Sequence, residues 1–314
     1  IFEYGIAYMS VCVFMQIPNM VHIVIQKILQ ATGNMIAPMW FQIAGVVFNF
    51  VFDPLLIFGI GPFPKMGVVG AAVATVLGYV VSTIIALIQL FLTKQKVKPV
   101  FKNCLEPQMI KLIFSYGLPS FVMNALGAFT VNFANMFLVR YSDTAVAFFG
   151  AYFKVQQLIF MTVNGLIQGC LPIMRFNYRA KEYGRLKQAN KSGTIIATVM
   201  MIVGMLLVLI FPKEILFLFS ASGEMCAFGV PAMRIMSLGF VFSGFSAMIA
   251  TYEQATDSIM PGVVVQLLRQ GVLLVPVIWL LNRAVQMTGI WLAFPITEFV
   301  TFLVAVVFAK IKNH

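Results

Sequence analysis

Charged residues are scarce in this 314-residue sequence: they make up 10% of it, whereas a soluble domain carries roughly a quarter. Apolar residues make up 61%. This balance excludes an ordinary water-soluble domain and predicts that most of the chain lies in a lipid bilayer. The net charge of +11 does not indicate a nucleic-acid partner. The basic residues fall between apolar runs and do not alternate with aromatic residues that could stack on bases.

Several motifs that carry chemistry are also missing. There is no GxxxxGK[ST] sequence, so the chain has no P-loop for ATP hydrolysis. No HExxH motif or cluster of His, Asp and Glu indicates hydrolysis, and no filter-like loop indicates a channel. The four cysteines lie far apart without CxxC spacing, so we expect neither disulfide bonds nor a metal cluster. The sequence therefore predicts no enzyme activity and no cofactor, and it assigns no metal ligand.

What the sequence contains instead is nine apolar runs, each long enough for a helix that crosses a bilayer core about 30 Å thick. Short polar turns separate most of them. The longest gap, 93–111, holds five lysines and two prolines and has the composition of a linker. We predict three helices over 1–92, a cytoplasmic linker over 93–111 and six helices over 112–314. The runs are 4–26, 35–58, 66–92, 112–139, 145–173, 194–212, 228–251, 260–281 and 288–309.

Lysine and arginine are distributed unevenly between the two sides of this predicted bundle. Counted over alternate gaps, fourteen lie on one side and four on the other. By the positive-inside rule, the richer side is cytoplasmic. The sequence thus predicts a multi-pass protein of the cell (cytoplasmic) membrane, with the N-terminus of the chain outside and the C-terminus in the cytoplasm. Three further basic residues, Lys154, Arg234 and Arg269, lie within apolar runs.

The polar turn that follows the first run is repeated near the end of the chain. The matches have one offset around the turn and in the second run and a shorter offset in the third run, and they relate runs one to three to runs seven to nine. A repeat in the same orientation is a parallel repeat. If the two bundles are alike, we expect three more helices before the first run. The matches are Gln30-Ala31-Thr32 with Gln254-Ala255-Thr256, Gln42 with Gln266, Gly70 with Gly289, and Ala74 with Ala293.

Glu298 and Arg269 are the least expected residues within the apolar runs. Glu298 lies ten residues into its run, and Arg269 lies nine residues past the start of the preceding run, which enters from the opposite side. At 1.5 Å per residue, both lie about 15 Å deep and meet near the midplane of the bilayer. A lone charge there costs roughly 3 kcal/mol, so a partner is expected. The pair could lock two helices together, or it could bind substrate or couple an ion. Lys154, at a similar depth, could compete for the same glutamate.

Asp53 is the other acidic residue of interest. Asn49 and Asp53 are four residues apart, so they share a helix face, near the predicted outer surface. Asp53 could receive an incoming cation or proton. The favoured interpretation is structural: Asp53 hydrogen-bonds an adjacent helix end beside Pro54.

Amide side chains are concentrated on two consecutive predicted helices. Asn124 and Asn132 lie about two turns apart on the first, and Asn164 and Gln168 lie one turn apart on the second. Amides in a bilayer can simply bond helices together. Their density here favours the wall of a polar cavity that binds substrate.

Together these stretches resemble the multidrug and toxic compound extrusion (MATE) transporters. The resemblance implies an all-α integral membrane protein with two six-helix lobes joined by a cytoplasmic loop, of which the chain holds the fourth to the twelfth helix. It also implies antiport: export of amphipathic, often cationic drugs and other xenobiotics, driven by inward flow of protons or sodium ions. The stretches are QATGNMIAPMWFQIAGVVFNFVFDPLLIFG from Gln30, MGVVGAAVATVLG from Met66, GLPSFVMNALGAFTVNFANMFL from Gly117, and GLIQGCLPIMRFNYRAKEYGRLKQA from Gly165.

The chain departs from this family where the coupling carboxylate is concerned. Members with a carboxylate in the first helix would carry it outside this sequence, and the run 112–139 has no acidic residue in place of the glutamate that other members carry in the seventh helix. Two alternatives stay open: a flippase for lipid-linked precursors from the same superfamily, and a membrane fragment that does not transport. A flippase needs a strongly cationic cavity, and here Lys154 and Arg269 are opposed by Glu298. The predicted partners are small-molecule drugs and the lipid bilayer, with no nucleic acid and no obligate protein partner.

Overall fold

The chain is helical throughout the part that the structure describes, and it divides into two compact units. The units are Ile1–Cys104 and Leu105–His314. The structure is a computed structural model, and it describes residues 16–92, 106–256 and 259–312, together with residues 6, 9, 10 and 13.

The described part of the first unit holds three helices, of which the second and third match the predicted runs 35–58 and 66–92 to within one residue. The first ends at Ala31, five residues beyond the predicted end of run 4–26, because its last turn carries Leu29 into the core at 1% exposure. The helices are α1 (Gln16–Ala31), α2 (Ile36–Phe58) and α3 (Gly67–Leu92).

The turn between α1 and α2 is made by residues suited to irregular backbone. Gly33 has a φ of 87°, a left-handed conformation that glycine adopts without steric cost. The side-chain oxygen of Asn34 accepts a hydrogen bond of 3.2 Å from the amide of Ala37. This bond satisfies a free amide in the first turn of α2. At the other end, Gly59 closes α2 in the left-handed conformation, and its amide donates to the carbonyl of Leu55.

The second unit is also built of helices in its described part. The helices at 143 and 183 begin before the predicted runs 145–173 and 194–212, because polar first turns precede the apolar stretches. Its helices are α4 (Pro107–Leu138), α5 (Asp143–Arg179), α6 (Tyr183–Ile210), α7 (Pro212–Leu218), α8 (Gly223–Ser237), α9 (Phe240–Ala255), α10 (Ile259–Leu267) and α11 (Leu274–Lys312).

Three breaks divide the later helices of the second unit. The predicted run 228–251 is split between α8 and α9 at Gly239. A π-helical turn, Leu268–Val272, separates α10 from α11. Within α11, Val285 and Gln286 leave the helical conformation, with Gln286 at a φ of 52°. The third break lies in the gap predicted between the last two runs, whereas the first two were not predicted.

Six helices in the described residues are long and apolar enough to cross a membrane. Their outer faces expose large apolar side chains, such as Phe50 at 79% and Phe176 at 74%, as expected of surfaces covered by lipid. By this criterion the count of nine spans stays a prediction, because run 4–26 lies partly outside the described residues and the last two runs join in α11. The six are Ile36–Phe58, Gly67–Leu92, Asp143–Arg179, Tyr183–Ile210, Gly223–Ala255 and Leu274–Phe308.

The internal repeat is visible in the packing of two helical triplets, α1–α3 in the first unit and α9–α11 in the second. Each triplet has a small core cluster of its own. Three of the five buried residues in the first cluster map onto the second: Ile25 and Phe41 with an offset of 224, and Ala86 with an offset of 219. These core positions follow the offsets of the repeat that the polar turn predicts. The first cluster includes Ile25, Phe41 and Ala86, and the second consists of Ile249, Val265 and Ala305.

One glycine in each triplet allows two backbone segments to touch: α2 and α3 in the first unit, and the two parts of α11 on either side of its break in the second. A Cβ atom on Gly70 would lie 2.5 Å from the carbonyl oxygen of Leu56, and Gly289 packs in the same way on the carbonyl of Leu281. Leu56 and Leu281 are 225 residues apart, one more than the paired core positions before them. The π-helical turn lies between those points and holds one residue more than an α-helical turn. It therefore accounts for the extra residue in the second repeat.

Candidate functional site

A cavity of about 490 Å³ lies among α4, α5, the π-helical turn and α11 of the second unit, and we refer to it as the chamber. Its wall combines aromatic rings, amides and one pair of opposite charges. This is the composition of a site for an amphipathic small molecule. The side chains that give it this character are Phe149, Phe153, Phe160, Phe294, Gln156, Gln157, Thr130, Arg269 and Glu298.

Helix α5 supplies most of the wall through a single stripe. Phe149, Phe153, Gln156 and Phe160 follow one another at spacings of four, three and four residues, so they lie on one helix face. The ring of Phe149 packs against that of Phe153 with centroids 5.1 Å apart, and against that of Phe294 on α11 at 5.7 Å. These ring contacts hold the wall in place.

Arg269 and Glu298 meet in the chamber, as their depths in the bilayer predicted. The Nε atom of Arg269 lies 2.9 Å from Oε1 of Glu298, and the side chains are only 16% and 14% exposed. The guanidinium carbon lies 4.8 Å from the ring centroid of Phe160. The arginine therefore has two partners, a carboxylate and an aromatic face. The other carboxylate oxygen, Oε2, is buried and finds no hydrogen-bond partner among the described residues.

Two glycines bring the surrounding helices close enough to position this pair. A Cβ atom on Gly239 would lie 3.2 Å from Cγ of Glu298 and 3.2 Å from Cα of Pro295, so the break between α8 and α9 lets α11 approach. A Cβ atom on Gly271 would lie 2.9 Å from Oγ1 of Thr130, so α4 meets the π-helical turn. Larger residues at either position would push apart the helices that carry the charges.

Tyr152 was not predicted as a site residue. It is fully buried on α5, its hydroxyl finds no partner within the described parts of the chain, and it lies within electrostatic range of Glu298. The phenylalanines of the chamber were not singled out either. Their helical spacing on α5 was a usable signal, but a sequence with 31 phenylalanines contains many apolar stripes.

Lys154 does not reach Glu298. It is exposed and lines a separate cavity of about 600 Å³ together with Asp143 and Ser220. Its depth resembles that of the glutamate, but it follows Phe153 by one residue and so points about 100° away from the stripe that lines the chamber. The geometry therefore gives it no part in the charged pair.

Three of the four amides predicted to line a cavity lie outside the chamber. Asn132, Asn164 and Gln168 are exposed and are not part of its lining. Asn164 follows Phe160 by one helical turn and so lies beyond the end of the wall. The side chain of Asn124 falls outside the residues that the structure describes. The chamber takes its amides from Gln156 and Gln157 instead.

Asp53 belongs to the contact between α2 and α3 in the first unit. Its Oδ1 accepts a hydrogen bond of 3.2 Å from the side-chain amide of Asn49, and the same amide lies 3.4 Å from Oγ1 of Thr75 on α3. This agrees with the structural interpretation, although the partner is an amide one turn earlier and not a helix end.

The sequence matches a known family and two named exporters. A family model described as MatE matches residues 119–280, just over half of the chain. Multidrug export protein MepA of Staphylococcus aureus is 26% identical over 284 residues, which cover 90% of this chain and 61% of that protein. The MepA protein of Staphylococcus saprophyticus is 26% identical over 304 residues, covering 95% and 65%. The chain thus spans less than two thirds of the length of these relatives.

Solved transporter structures share the fold. A multidrug resistance MATE transporter in an outward-facing conformation aligns with a TM-score of 0.87 at 21% identity, covering 98% of this chain and 69% of that one. A MATE transporter in an inward-facing conformation aligns with a TM-score of 0.73 at 21% identity, covering 99% and 71%. At these identities the likeness concerns the fold alone. The family match and the membrane-spanning helices lead to one conclusion: the chain is a multi-pass membrane protein that belongs to the MatE family of transporters.

Proposed function

We propose that the protein is a secondary active exporter that exchanges amphipathic cations for protons or sodium ions by alternating access. The observation that carries the proposal is the chamber, where one carboxylate lies among aromatic rings and one of its oxygens finds no hydrogen-bond partner in the described residues. The matching relatives are named multidrug export proteins, which supports the same class of cargo.

The proposal includes the topology predicted from the sequence. Nine spans, three in 1–92 and six in 112–314, form the corresponding part of a twelve-helix, two-lobe transporter, with 93–111 as the cytoplasmic linker. The N-terminus of the chain lies outside and the C-terminus inside, as the distribution of lysine and arginine favours.

The chamber suits an organic cation in size and chemistry. Its volume of about 490 Å³ falls in the usual range for small-molecule sites. The rings of Phe153 and Phe160 line the chamber and can attract a positive charge, and Glu298 offers the counter-charge. The amides of Gln156 and Gln157 can orient polar groups of a ligand.

Glu298 is the residue through which we propose that drug and ion are coupled. It is the carboxylate of the chamber lining within the described residues, and α4 supplies no acidic residue in its place. A proton or sodium ion bound to this carboxylate and a cationic drug exclude each other by charge. The affinity of the protein for the drug therefore differs between the ion-bound and the ion-free protein, and the affinity for the ion differs in the same way with the drug. Coupled exchange requires such a difference.

The experiment is ethidium efflux from cells that express the protein from its complete reading frame. The Glu298→Gln variant should lose energy-dependent efflux, and the matched control Glu214→Gln, at an exposed position on α7, should retain it. Abolition of efflux by a protonophore or by removal of sodium identifies the ion. Efflux by Glu298→Gln at the rate of the unmodified protein would contradict the proposed role of this carboxylate. No efflux of any cationic dye by the unmodified protein would contradict the exporter.

A further inference from the structure

We infer that Arg269 is a tethered competitor for the cation site: its guanidinium occupies the carboxylate and the aromatic face that a transported cation uses, and it is displaced when the cation binds. The inference rests on the proposed function and adds to it a determinant of affinity and specificity.

The geometry of Arg269 is that of a bound organic cation. Its Nε lies 2.9 Å from Oε1 of Glu298, and its guanidinium carbon lies 4.8 Å from the centroid of the Phe160 ring. A ligand cation is recognised by the same two features, a carboxylate within ion-pairing distance and a ring face within about 6 Å. The guanidinium and a ligand cation cannot occupy this position together, so they compete.

The pair differs from a buried ion pair that only locks two helices. A structural pair withdrawn from solvent is stabilised when its remaining hydrogen-bonding positions are filled. Here Oε2 of Glu298 finds no partner in the described residues, and the one hydrogen bond comes from Nε of Arg269, without the bidentate fork that arginine can offer. Both side chains also border an open cavity. An incoming cation can therefore approach the carboxylate and replace Arg269 as its counter-ion.

The backbone that carries Arg269 offers a way to move it. The arginine lies in the π-helical turn Leu268–Val272, where the second repeat holds one residue more than the first. Returning such a turn to α-helical register rotates the side chains by about 100° around the helix axis. At the offset of 224, the first repeat has Gly45 in place of the arginine. The charge and the irregular turn thus occur together in the second unit.

Displacement restricts the ligands that the chamber accepts. A ligand must bring a positive charge to Glu298, because the carboxylate would otherwise be left without a counter-ion. It must also cover the face of Phe160 that the guanidinium leaves. The class expected is therefore monovalent organic cations with an apolar or aromatic body, while neutral aromatic compounds do not displace the arginine.

The test is the dissociation constant of tetraphenylphosphonium for the purified full chain in lipid nanodiscs, measured by titration calorimetry. If the guanidinium of Arg269 occupies the cation site in about nine tenths of the molecules, its removal raises the apparent affinity for tetraphenylphosphonium about tenfold. Arg269→Gln should therefore bind tetraphenylphosphonium about tenfold more tightly than the unmodified protein. Arg269→Gln combined with Glu298→Gln should lose this gain.

Two further variants guard against unfolding and unspecific effects. Arg269→Lys keeps a counter-charge for Glu298 if Arg269→Gln does not fold. Lysine stacks less well on Phe160, so a gain of about threefold is expected. The matched control is Arg234→Gln on α8, whose Nε bonds to the carbonyl of Leu209 at 3.2 Å, and its affinity should stay unchanged.

The possible outcomes distinguish a failure of this inference from a failure of the proposed export function. Unchanged or weaker binding of tetraphenylphosphonium by both Arg269 variants overturns the inference, whether or not cells export ethidium. No binding by any form of the chain also overturns it. Tighter binding by Arg269→Gln, in a protein that exports no cationic dye, supports the competitor and contradicts only the proposed export.

Discussion

The two helical triplets share a core but differ at one contact between helices. In the first unit, α2 and α3 meet through Gly45 and Gly78: a Cβ atom on Gly45 would lie 2.7 Å from the carbonyl oxygen of Gly78. At the offsets of 224 and 219 that relate the triplets, Arg269 replaces Gly45 and Glu298 replaces Tyr79. One copy of the fold closes this contact with backbone, whereas the other places two charges there and borders a cavity.

This difference shows how a repeated fold can acquire a site without losing its core. The clusters around Phe41 and Val265 occupy equivalent positions and hold both triplets together. At this contact the second unit differs by the two charged residues and by the additional residue in the π-helical turn. A glycine contact gains its stability from close packing, while the charged pair depends on both partners staying in place.

The largest effect is expected from breaking the pair on one side only. Glu298→Ala leaves the arginine without a counter-charge in a largely buried position, which should lower the free energy of unfolding by about 3–5 kcal/mol. Replacing both partners, Arg269→Met with Glu298→Leu, removes the uncompensated charge and should restore most of the loss. Denaturation in detergent micelles, followed by circular dichroism, measures both. A double variant as unstable as Glu298→Ala would show that the loss does not come from the stranded charge.

The glycines shared by both triplets should respond alike. Gly70→Ala and Gly289→Ala each place a methyl group against a backbone carbonyl that cannot rotate away, so each should cost about 3 kcal/mol. Gly165→Ala is the control, because nothing lies within 4 Å of its added Cβ atom. Midpoints of thermal unfolding compare the three. Tolerance at one of the two shared positions and not at the other would contradict the equivalence of the repeats.

The glycine contact that is specific to the first unit should be less sensitive. An added Cβ atom on Gly45 would meet Oγ of Ser82, which can rotate, and the carbonyl oxygen of Gly78, which cannot. Rotation would also break the 3.0 Å hydrogen bond from Ser82 to the carbonyl of Phe41. We expect Gly45→Ala to cost about 1–3 kcal/mol. Ser82→Ala in the same chain should recover part of this in the unfolding measurement. No recovery would place the strain on the backbone alone.

The smallest effect is expected at Asp53 in the first unit. Asp53→Asn keeps an oxygen that can accept from Asn49, at the observed distance of 3.2 Å. The loss of stability should be no more than about 0.6 kcal/mol, the typical value of a side-chain hydrogen bond between membrane helices. Ethidium efflux should be unchanged. If this variant stopped efflux while remaining folded, ion coupling would have to be reassigned to the first unit.

The sequence predicted those features that depend on length and depth. The bounds of α2 and α3 followed from apolar runs closed by Gly59 and by polar turns. The meeting of Arg269 and Glu298 followed from the rise per residue, because two helices that enter from opposite sides place those residues at one depth.

Features that depend on rotation about a helix axis could not be predicted in this way. Lys154 has a suitable depth but lies on another face of α5, so it lines a different cavity. The π-helical turn Leu268–Val272 adds one residue to an apolar run and leaves its hydropathy unchanged. The chamber wall depends on which of many phenylalanines face inward, which is decided by contacts between helices distant in sequence.

The most direct measurement is a structure of the protein with tetraphenylphosphonium bound. Cation binding in the chamber places the phosphonium ion against Glu298 and the ring of Phe160, with Nε of Arg269 more than about 4 Å from the carboxylate, beyond ion-pairing distance. A bound cation found elsewhere, with Arg269 still 2.9 Å from Oε1 of Glu298, would contradict this account.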